Sequence, residues 1–371
     1  MQRVDAARAA VMGAAAVLAV AGAPVAAQSS VTLYGVVDVS VETLNNVGAA
    51  SDRLTRVPSL TGYLPSRFGL RGSEDLGAGM RAVFVLENGF APDQGTSNQG
   101  GRLFGRQAWA GLAGAWGTVG IVRQYTMLFY SLLDADIMGP ALYSSGSLDS
   151  YIPNARADNA VTYQGRFAGW TLGATYSFGR DTVNAGPSPA GTNCAGENPN
   201  DSKACRQWSA LAKYDSPRFG VAAAVDELRG GAGAFGGLTR SDLTDTRAVL
   251  NGYLKFGPHK LAAGILRRDN EASVATPKSD LMWLGGSAVF GAFTFDAQLF
   301  QLDFKDSDNG ALLPVVRGTY RFTRRTAVYA TAAVIDNKGA LAFSVSGGGP
   351  GGQPIAGGSQ TGFGAGLLHS F

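Results

Sequence analysis

Two cysteines and two histidines are the residues of this 371-residue chain best suited to metal binding or nucleophilic chemistry. Cys194 and Cys205 lie close together in a stretch rich in Pro, Asn, Gly and Ser, whereas His259 and His369 are far from them and from each other. Residues at these spacings do not form a metal cluster, so we expect no metal and no cofactor. The cysteines predict a disulfide that closes a small surface loop, provided that the chain is exported to an oxidising compartment.

Carboxylates occupy one face of the first convincing structured stretch, VTLYGVVDVSVE (31–42). Its even positions include Asp38 and Glu42, while its odd positions are apolar throughout, and this period of two indicates a β-strand. The apolar face consists of Val31, Leu33, Gly35, Val37, Val39 and Val41. A soluble sheet would bury these valines against a second layer, whereas a membrane barrel would turn them to lipid and keep the carboxylates in water.

The overall composition favours the membrane barrel. Charged residues make up 16% of the chain, which is below the roughly 25% of soluble domains. Mean hydropathy is only +0.03, and no long apolar run follows the N-terminal region, which excludes a helical membrane protein. Low charge, 52 glycines and 10% aromatic residues are typical of a β-barrel with a wet interior. A Gly-rich soluble β-protein is the competing interpretation.

Alternating segments recur from end to end, and the connections between them alternate between short and long. Seven connections are tight turns with Gly, Pro or Asp where turns require them. The eight long connections span about 43–65, 91–101, 125–156, 179–206, 229–243, 269–279, 304–312 and 338–359. Together they join sixteen strands, and this sorting of connections is typical of a bacterial outer-membrane barrel. We predict an all-β fold, a transmembrane antiparallel β-barrel of sixteen strands.

The N-terminal segment has the features of a secretory signal peptide. Arg3 and Arg8 precede an apolar stretch over residues 11–23, and small residues precede an expected cleavage site after Ala27. We therefore divide the chain into a signal peptide (1–27) and a barrel domain (28–371). The whole chain has 31 basic and 28 acidic residues, and the signal peptide contains two of the basic residues and one of the acidic residues. The remaining net charge of +2 is too balanced to imply a nucleic-acid partner.

Three sequence blocks and the C-terminus carry a family resemblance. They are SSVTLYGVVDVSVE (29–42), SRFGLRGSEDLGAGMRAVFVLENGF (66–90), GRQAWAGLAGAWGTVGIVRQY (105–125) and the terminal LLHSF. With them the chain resembles the general diffusion porins of Gram-negative bacteria, especially the betaproteobacterial type. The resemblance implies a homotrimer in the bacterial outer membrane, among outer-membrane lipid and lipopolysaccharide, with the third long loop of each barrel folded into the pore. It also implies that Phe371 is a signal for the barrel assembly machinery.

The same resemblance assigns charged residues to a constriction, where basic side chains on the wall face acids on the inserted loop. Arg67, Arg106 and Arg156 match the wall positions by motif, in SRFGLRG, GRQAWAGL and NARADNAVTY, and Arg123 is a further candidate just before the third loop. An arginine that faced lipid at the bilayer midplane would cost about 2–4 kcal/mol, which favours the lumen. The alternative for each arginine is a solvated charge at the rim.

The third loop supplies the acids Asp134 and Asp136, with Asp149 further along. Asp136 fits the position where porins of this kind often carry an acid, shortly before a Pro-containing turn. Many relatives with cation preference have a further carboxylate just past that proline, but Pro140 is followed by Ala and Leu. The loop is also unusually apolar, which either narrows the pore or packs the loop more firmly on the wall.

These features predict passive diffusion of small hydrophilic solutes and ions with a weak to moderate anion preference, because four candidate arginines oppose two or three loop acids. The alternative is a ligand-specific channel for small sugars or organic acids, with loop aromatics as a slide. Those aromatics are Tyr125, Phe129, Tyr130, Tyr143 and Tyr151, and they could equally well pack the loop.

An enzyme is not expected, because neither histidine lies near a long loop where extracellular substrates would arrive. The Gly-rich runs 230–237 and 347–354 lack a following helix and a Lys-Ser/Thr pair, so they are not phosphate-binding loops. We expect both runs to be flexible loop tips.

Overall fold

The computed structural model describes residues 30–181 and 192–371 and arranges them in one antiparallel sheet of seventeen strands. The predicted signal peptide (1–27) lies outside the described residues. Two short helices, α1 (Asn98–Gly101) and α2 (Met127–Leu132), accompany the sheet, and the sequence patterns did not predict either of them. No helix in the described part of the chain is long and apolar enough to cross a membrane.

The strands follow one another along the chain with few interruptions. They are β1 (Ser30–Val47), β2 (Asp52–Arg56), β3 (Arg67–Gly77), β4 (Met80–Gly89), β5 (Gln107–Gly114), β6 (Gly117–Tyr125), β7 (Arg156–Phe167), β8 (Trp170–Ser177), β9 (Gln207–Asp215), β10 (Phe219–Arg229), β11 (Thr244–Phe256), β12 (His259–Asn270), β13 (Lys278–Phe290), β14 (Phe293–Phe304), β15 (Gly310–Arg321), β16 (Thr326–Lys338) and β17 (Ser359–Ser370).

Strand β1 closes the sheet into a barrel. One edge of β1 pairs with the last strand, β17, from Val36 to Leu44. Its other edge pairs with β3 over its first residues and with β2 over its last residues. Strands β2 and β3 therefore share one place in the wall, and the barrel has the sixteen wall strands that the sequence predicts.

The polar face of each strand points into the barrel, and the apolar face points out. On β1, Val41 is 53% exposed whereas Asp38 is 2% exposed. On β14, Phe295 is 54% exposed whereas Asp296 is 5% exposed. No second layer covers the valines, so the outer surface is apolar and the enclosed surface is polar, as in a membrane-spanning barrel.

The connections sort by length between the two ends of the barrel. Seven turns of two to four residues join strands at the short-turn end, whereas the long-loop end carries the four-residue turn 48–51 between β1 and β2 and seven connections of five or more residues. Two of the short turns, Ala78–Gly79 and Ala168–Gly169, have positive φ at both central residues. This is the geometry of the type I′ turn, whose twist matches that of the flanking strands.

The third long connection, residues 126–155, runs along the inner wall. Helix α2 packs against strands β8 to β11 at its start. Further along, Asn251 Nδ2 donates a hydrogen bond to Ser131 O at 3.1 Å and Trp283 Nε1 donates to Ala135 O at 3.0 Å. The apolar side chains of this connection are buried, and they include Met127, Leu128, Leu132, Met138, Leu142 and Leu148. The unusual apolar content therefore packs the loop onto the wall.

An irregular segment, residues 57–66, leaves the wall between β2 and β3 and enters the interior. The Asp38 carboxylate holds it by accepting hydrogen bonds from the backbone N–H of Tyr63 and of the next residue, each at 2.8 Å. Leu142 N of the third connection donates to Gly62 O at 2.7 Å. The third connection is thus supported from two sides of the barrel.

The Gly-rich run 347–354 is not the free loop tip that its composition predicts. Gly347 N donates to Leu142 O and Leu60 N donates to Gly348 O, both at 2.8 Å. A side chain at Gly348 would collide with the Leu142 side chain. The prediction was wrong because glycine permits close backbone packing as readily as it permits flexibility.

Candidate pore constriction

Three arginines meet at the inner wall, around the carboxylate of Glu87 and the hydroxyl of Tyr125. Arg106 Nε donates to Glu87 Oε1 at 2.7 Å, and Arg67 Nε lies 3.7 Å from Glu87 Oε2. Arg106 and Arg156 each donate from Nη2 to the Tyr125 hydroxyl, at 2.6 and 2.7 Å. We refer to Arg67, Arg106 and Arg156 as the arginine cluster.

The strand ends explain why these residues meet. Arg67 begins β3, Arg156 begins β7 and Tyr125 ends β6, so each lies where a strand joins a long connection. Tyr125 and Arg156 are partners in the pairing of β6 with β7, and Arg106 N donates to Glu87 O at 3.1 Å. The arginine cluster therefore lies on one part of the wall, beside the point where the third connection turns inward.

The arginine cluster carries more positive charge than its neighbours balance. Among the described residues, Glu87 is the only carboxylate within 4 Å of Arg67 or Arg106, and Arg156 has none. Arg156 places its guanidinium 4.4 Å from the centre of the Tyr125 ring, and its Nε has no hydrogen-bond partner in the part of the chain that the structure describes. Three guanidiniums against one carboxylate leave about two unbalanced positive charges here, since arginine stays protonated even when crowded.

Arg123 lies in a separate network. Its guanidinium pairs with Asp158, and its Nε donates to Gly105 O at 2.7 Å. Asp158 also lies 3.5 Å from Arg102, which in turn pairs with Asp181. The ion pairs of the described residues thus join two arginines to two carboxylates, so Arg123 adds less net charge than the arginine cluster.

The two predicted loop acids do not pair with the arginine cluster. Asp134 pairs with Lys213 on β9, and its backbone oxygen accepts a hydrogen bond from Lys260 Nζ on β12 at 2.9 Å. Asp136 accepts from Ser145 Oγ at 2.7 Å and, among the described residues, forms no ion pair. Burial raises the pKa of Asp136 above its ordinary value, although hydrogen bonds from the loop oppose the rise. Asp136 therefore stabilises the fold of the loop.

Asp149 attaches the third connection to the wall. Arg247 on β11 donates to Asp149 from Nε at 2.8 Å and from Nη2 at 3.3 Å, and it also pairs with Asp245 at 3.0 Å. Burial by itself would raise the pKa of Asp149, but the positive charges of Arg247 and Arg268 outweigh burial and lower this pKa to about 2. We refer to Arg247 and Asp149 as the loop clamp.

The loop clamp should weaken only in strong acid. Because the pKa of Asp149 is lower in the folded protein than its ordinary value of 3.8, the clamp is at full strength above about pH 4 and is lost as pH falls toward about 2. We expect the open-channel noise of single-channel recordings to stay constant from neutral pH to about pH 4 and to rise below it. The Asp149→Asn variant should be noisy throughout. A noise transition above about pH 5 would assign the control to another group.

Arg317 is a basic residue of the inner wall that the sequence analysis did not identify. Arg317 on β15 pairs with Asp296 at 2.8 Å and lies 3.9 Å from the centre of the Tyr63 ring. It also donates to the backbone oxygens of Ile137 and Met138, at 3.2 and 3.4 Å. Strand alternation places Arg317 on the inner face, but nothing in the sequence reveals that it supports the third connection.

The aromatic side chains of the third connection form packing contacts. Tyr125 is 4% exposed and stacks on Phe129 with ring centres 3.8 Å apart, and Tyr130 meets both rings edge-on. Tyr143 is 1% exposed. Side chains packed in this way do not present the open row of rings that a sugar slide needs.

The remaining predicted residues lie away from the arginine cluster. Cys194 and Cys205 form a disulfide, and Cys205 N donates to Gly230 O at 2.8 Å, which ties the fourth long connection to the fifth. Phe371 ends the chain at the short-turn end, where it is 43% exposed and its backbone pairs with Gly35. Within residues 30–181 and 192–371, no group of His, Cys, Asp or Glu side chains is arranged to hold a metal ion.

Comparison with known proteins identifies the family. A family model described as Gram-negative porin matches residues 13–340 of the chain. The chain belongs to the Gram-negative porin family. It is 31% identical to outer membrane porin protein 32 of Delftia acidovorans, in an alignment that covers 96% of this chain and 98% of the relative. An outer membrane porin protein of Bordetella pertussis is 38% identical over 46% of this chain and 49% of the relative.

Solved structures agree with this assignment. An anion-selective porin from Comamonas acidovorans superposes with a TM-score of 0.75 at 26% identity, over 93% of this chain and all of that structure. OmpT of Vibrio cholerae shares the fold, with a TM-score of 0.64 at 16% identity over 92% of this chain. This porin is therefore a multi-pass β-barrel of the bacterial outer membrane that forms a diffusion channel, and its long loops face outward while its short turns face the periplasm.

Proposed function

We propose that this porin conducts small hydrophilic solutes and ions with a preference for anions, and that the arginine cluster sets this preference. The observation that carries the proposal is the sharing of one carboxylate, Glu87, by two of the three arginines, while Arg156 has no carboxylate partner among the described residues. The similarity to an anion-selective porin from Comamonas acidovorans supports the same sign of selectivity.

The electrostatics of a narrowed channel explain how the cluster would act. A sixteen-stranded barrel encloses an aqueous channel, and the third connection reduces its width by lying along the inner wall. Fixed charges at such a narrow point select ions by sign. Asp134 is neutralised by Lys213, so it does little to offset the positive field of the arginine cluster. Apolar solutes are disfavoured because they cannot replace the interactions of water with these charged groups.

Reversal potentials of the purified porin in planar bilayers under a KCl gradient test the proposal. We expect chloride to permeate several times better than potassium, because each unbalanced unit charge about 7 Å away in water favours chloride and disfavours potassium by about 0.6 kcal/mol before salt screening reduces the effect. The ratio should fall as salt rises and screens the charges, but chloride should stay preferred, because ions pass close to the arginine cluster at the narrow part of the channel. A preference for potassium would refute the selectivity while leaving the channel itself in place.

We also propose how the chain is exported and assembled. Residues 1–27 act as a cleaved signal peptide, and Phe371 acts as a recognition signal for the barrel assembly machinery. The mature barrel forms a homotrimer among outer-membrane lipid and lipopolysaccharide, in line with its family. The number of equal closing steps in single-channel recordings tests the number of pores per particle.

A further inference from the structure

A ring of basic side chains lines the inner wall at the short-turn end, away from the arginine cluster. We call it the vestibule ring, and its members are Arg71, Arg81, Arg166, Lys213, Lys255, Lys260 and Arg321. The acidic side chains at this end of the inner wall are Asp75 and Asp215, and Asp134 reaches it from the third connection. Seven basic side chains thus face three acidic ones, and each of the seven comes from a different strand.

Strand alternation and ring contacts establish that these side chains point inward. The Arg71 guanidinium lies 5.3 Å from the centre of the Tyr34 ring, whose hydroxyl donates to Glu87. The ammonium groups of Lys255 and Lys260 lie 4.9 and 5.6 Å from the ring centre of the buried Tyr253.

The other members lie on the inner face by the same alternation. Arg81 shares its face of β4 with Glu87, Arg166 shares its face of β7 with the buried Thr162, and Arg321 shares its face of β15 with Arg317. The ring therefore surrounds the water-filled mouth of the channel.

The vestibule ring is poorly neutralised. Among the described residues, Lys213 is its only member that forms an ion pair, with Asp134 and with Asp215 at 3.1 Å. Arg71, Arg81, Arg166, Lys255 and Arg321 are solvent-exposed. Their charges are thus free to act on ions in the mouth, in contrast to the arginine cluster, in which Arg106 and Arg156 are buried and hydrogen-bonded.

We propose that the vestibule ring is a second anion site that concentrates small multiply charged anions, such as dicarboxylates and phosphates, at the periplasmic mouth. The proposal rests on the anion preference proposed above. Several like charges on the walls of a cleft raise the local concentration of counter-ions. The attraction scales with the charge of the solute, so a dianion gains twice the energy of chloride.

The ring and the arginine cluster should respond differently to salt. The ring lines a wide, hydrated mouth, so its field reaches an ion through water and is removed by screening. The Debye length is about 30 Å at 0.01 M salt and about 3 Å at 1 M. The cluster lies at the narrow part of the channel, where ions pass close to it. Anion selectivity that is lost at low to moderate salt is therefore caused by the vestibule ring. Anion selectivity that persists at high salt is caused by the arginine cluster.

A triple variant in which Arg81, Arg166 and Arg321 are each replaced by Gln tests the site. None of the three forms an ion pair with a described residue, and all three are exposed, so the barrel should fold normally. A matched control replaces Arg53, Lys203 and Lys338 by Gln. These residues are also exposed and without an ion pair in the described structure, but they lie at the long-loop end. Both variants lose three positive charges.

We expect the triple variant to lose about half of its single-channel conductance at about 0.01 M KCl and to change little at about 1 M, because only the dilute solution leaves the ring unscreened. With potassium sulfate in place of KCl, the loss at low salt should be larger. The single-channel current of the triple variant should also differ less between positive and negative voltage than that of the unmodified porin. The matched control should keep the low-salt single-channel conductance of the unmodified porin.

Two outcomes would overturn the vestibule site. One is an unchanged low-salt conductance in the triple variant, and the other is an equal loss in the matched control, which would show that net charge alone matters. In either case, an unaltered anion preference at high salt would leave the role of the arginine cluster standing. Cation preference in the unmodified porin would refute the proposed function instead.

Discussion

Replacement of Arg106 by Ala should raise the conductance of the porin and shift its preference toward cations. Arg106 is 6% exposed, and it joins Glu87 to the Tyr125 hydroxyl. Its removal widens the channel at the inner wall and lowers the net charge of the arginine cluster from about +2 to about +1. One unit charge about 7 Å away in water is worth about 0.6 kcal/mol, so the anion-to-cation permeability ratio should fall about three- to sevenfold.

Two further variants separate the effect of charge from the effect of size. Arg106→Gln keeps most of the side-chain volume but removes the charge, so it should lower the permeability ratio as Ala does while changing the conductance less. Arg106→Lys keeps the charge but loses the planar geometry that serves Glu87 and Tyr125 together. It should keep most of the anion preference. Reversal potentials and single-channel conductance in planar bilayers measure both quantities.

If Arg106→Ala and Arg106→Gln both left the reversal potential unchanged, the assignment of Arg106 to the constriction would be wrong. Arg106 would then lie in a structural network that ions do not approach. Arg123→Ala is a useful comparison, because Arg123 pairs with Asp158 in the separate network. Its removal should shift the permeability ratio less than the removal of Arg106.

The sequence predicted the barrel because strand alternation and turn chemistry are local properties. The alternation of Asp38 with valines assigns each side chain to a face, and the lengths of the connections assign each to an end of the barrel. Both signals act within a few residues, so no knowledge of distant contacts is needed. The inward path of the irregular segment 57–66 was not predicted, because Asp38 and Tyr329, which hold Tyr63 in place, are far from it in sequence.

The partners of the charged residues could not be predicted in the same way. Alternation places Asp134 and Asp149 on a loop, but the basic residues that bind them, Lys213 and Arg247, are 79 and 98 residues away in sequence. Their meeting depends on how far the third connection travels around the wall. Alternation along β4 places Glu87 on the polar face, yet its role as the shared partner of two arginines follows only from the pairing of β4 with β3 on one side and with the backbone of Arg106 on the other.

Removal of Arg247 should release the third connection while leaving the barrel intact. Arg247 is 1% exposed and binds Asp149 of the loop and Asp245 of the wall, with its guanidinium 4.5 Å from the centre of the Tyr151 ring. Arg247→Ala leaves two carboxylates without this partner in an enclosed site, and loss of one member of a buried ion pair costs about 3–5 kcal/mol. The strand pairing of the wall does not depend on these contacts.

Single-channel recordings measure this release. Arg247→Ala should show larger open-channel noise and close at lower voltage, because a loosened loop moves in the conducting path. The double variant Arg247→Ala with Asp149→Ala should recover part of the quiet behaviour, since it removes one of the stranded charges. Arg268→Ala is the matched control, because Arg268 binds Asp245 at 2.8 Å but makes no hydrogen bond to Asp149. If Arg268→Ala were as noisy as Arg247→Ala, the direct bond from Arg247 to Asp149 would not be what holds the third connection. The neutralisation of Asp245 would hold it instead.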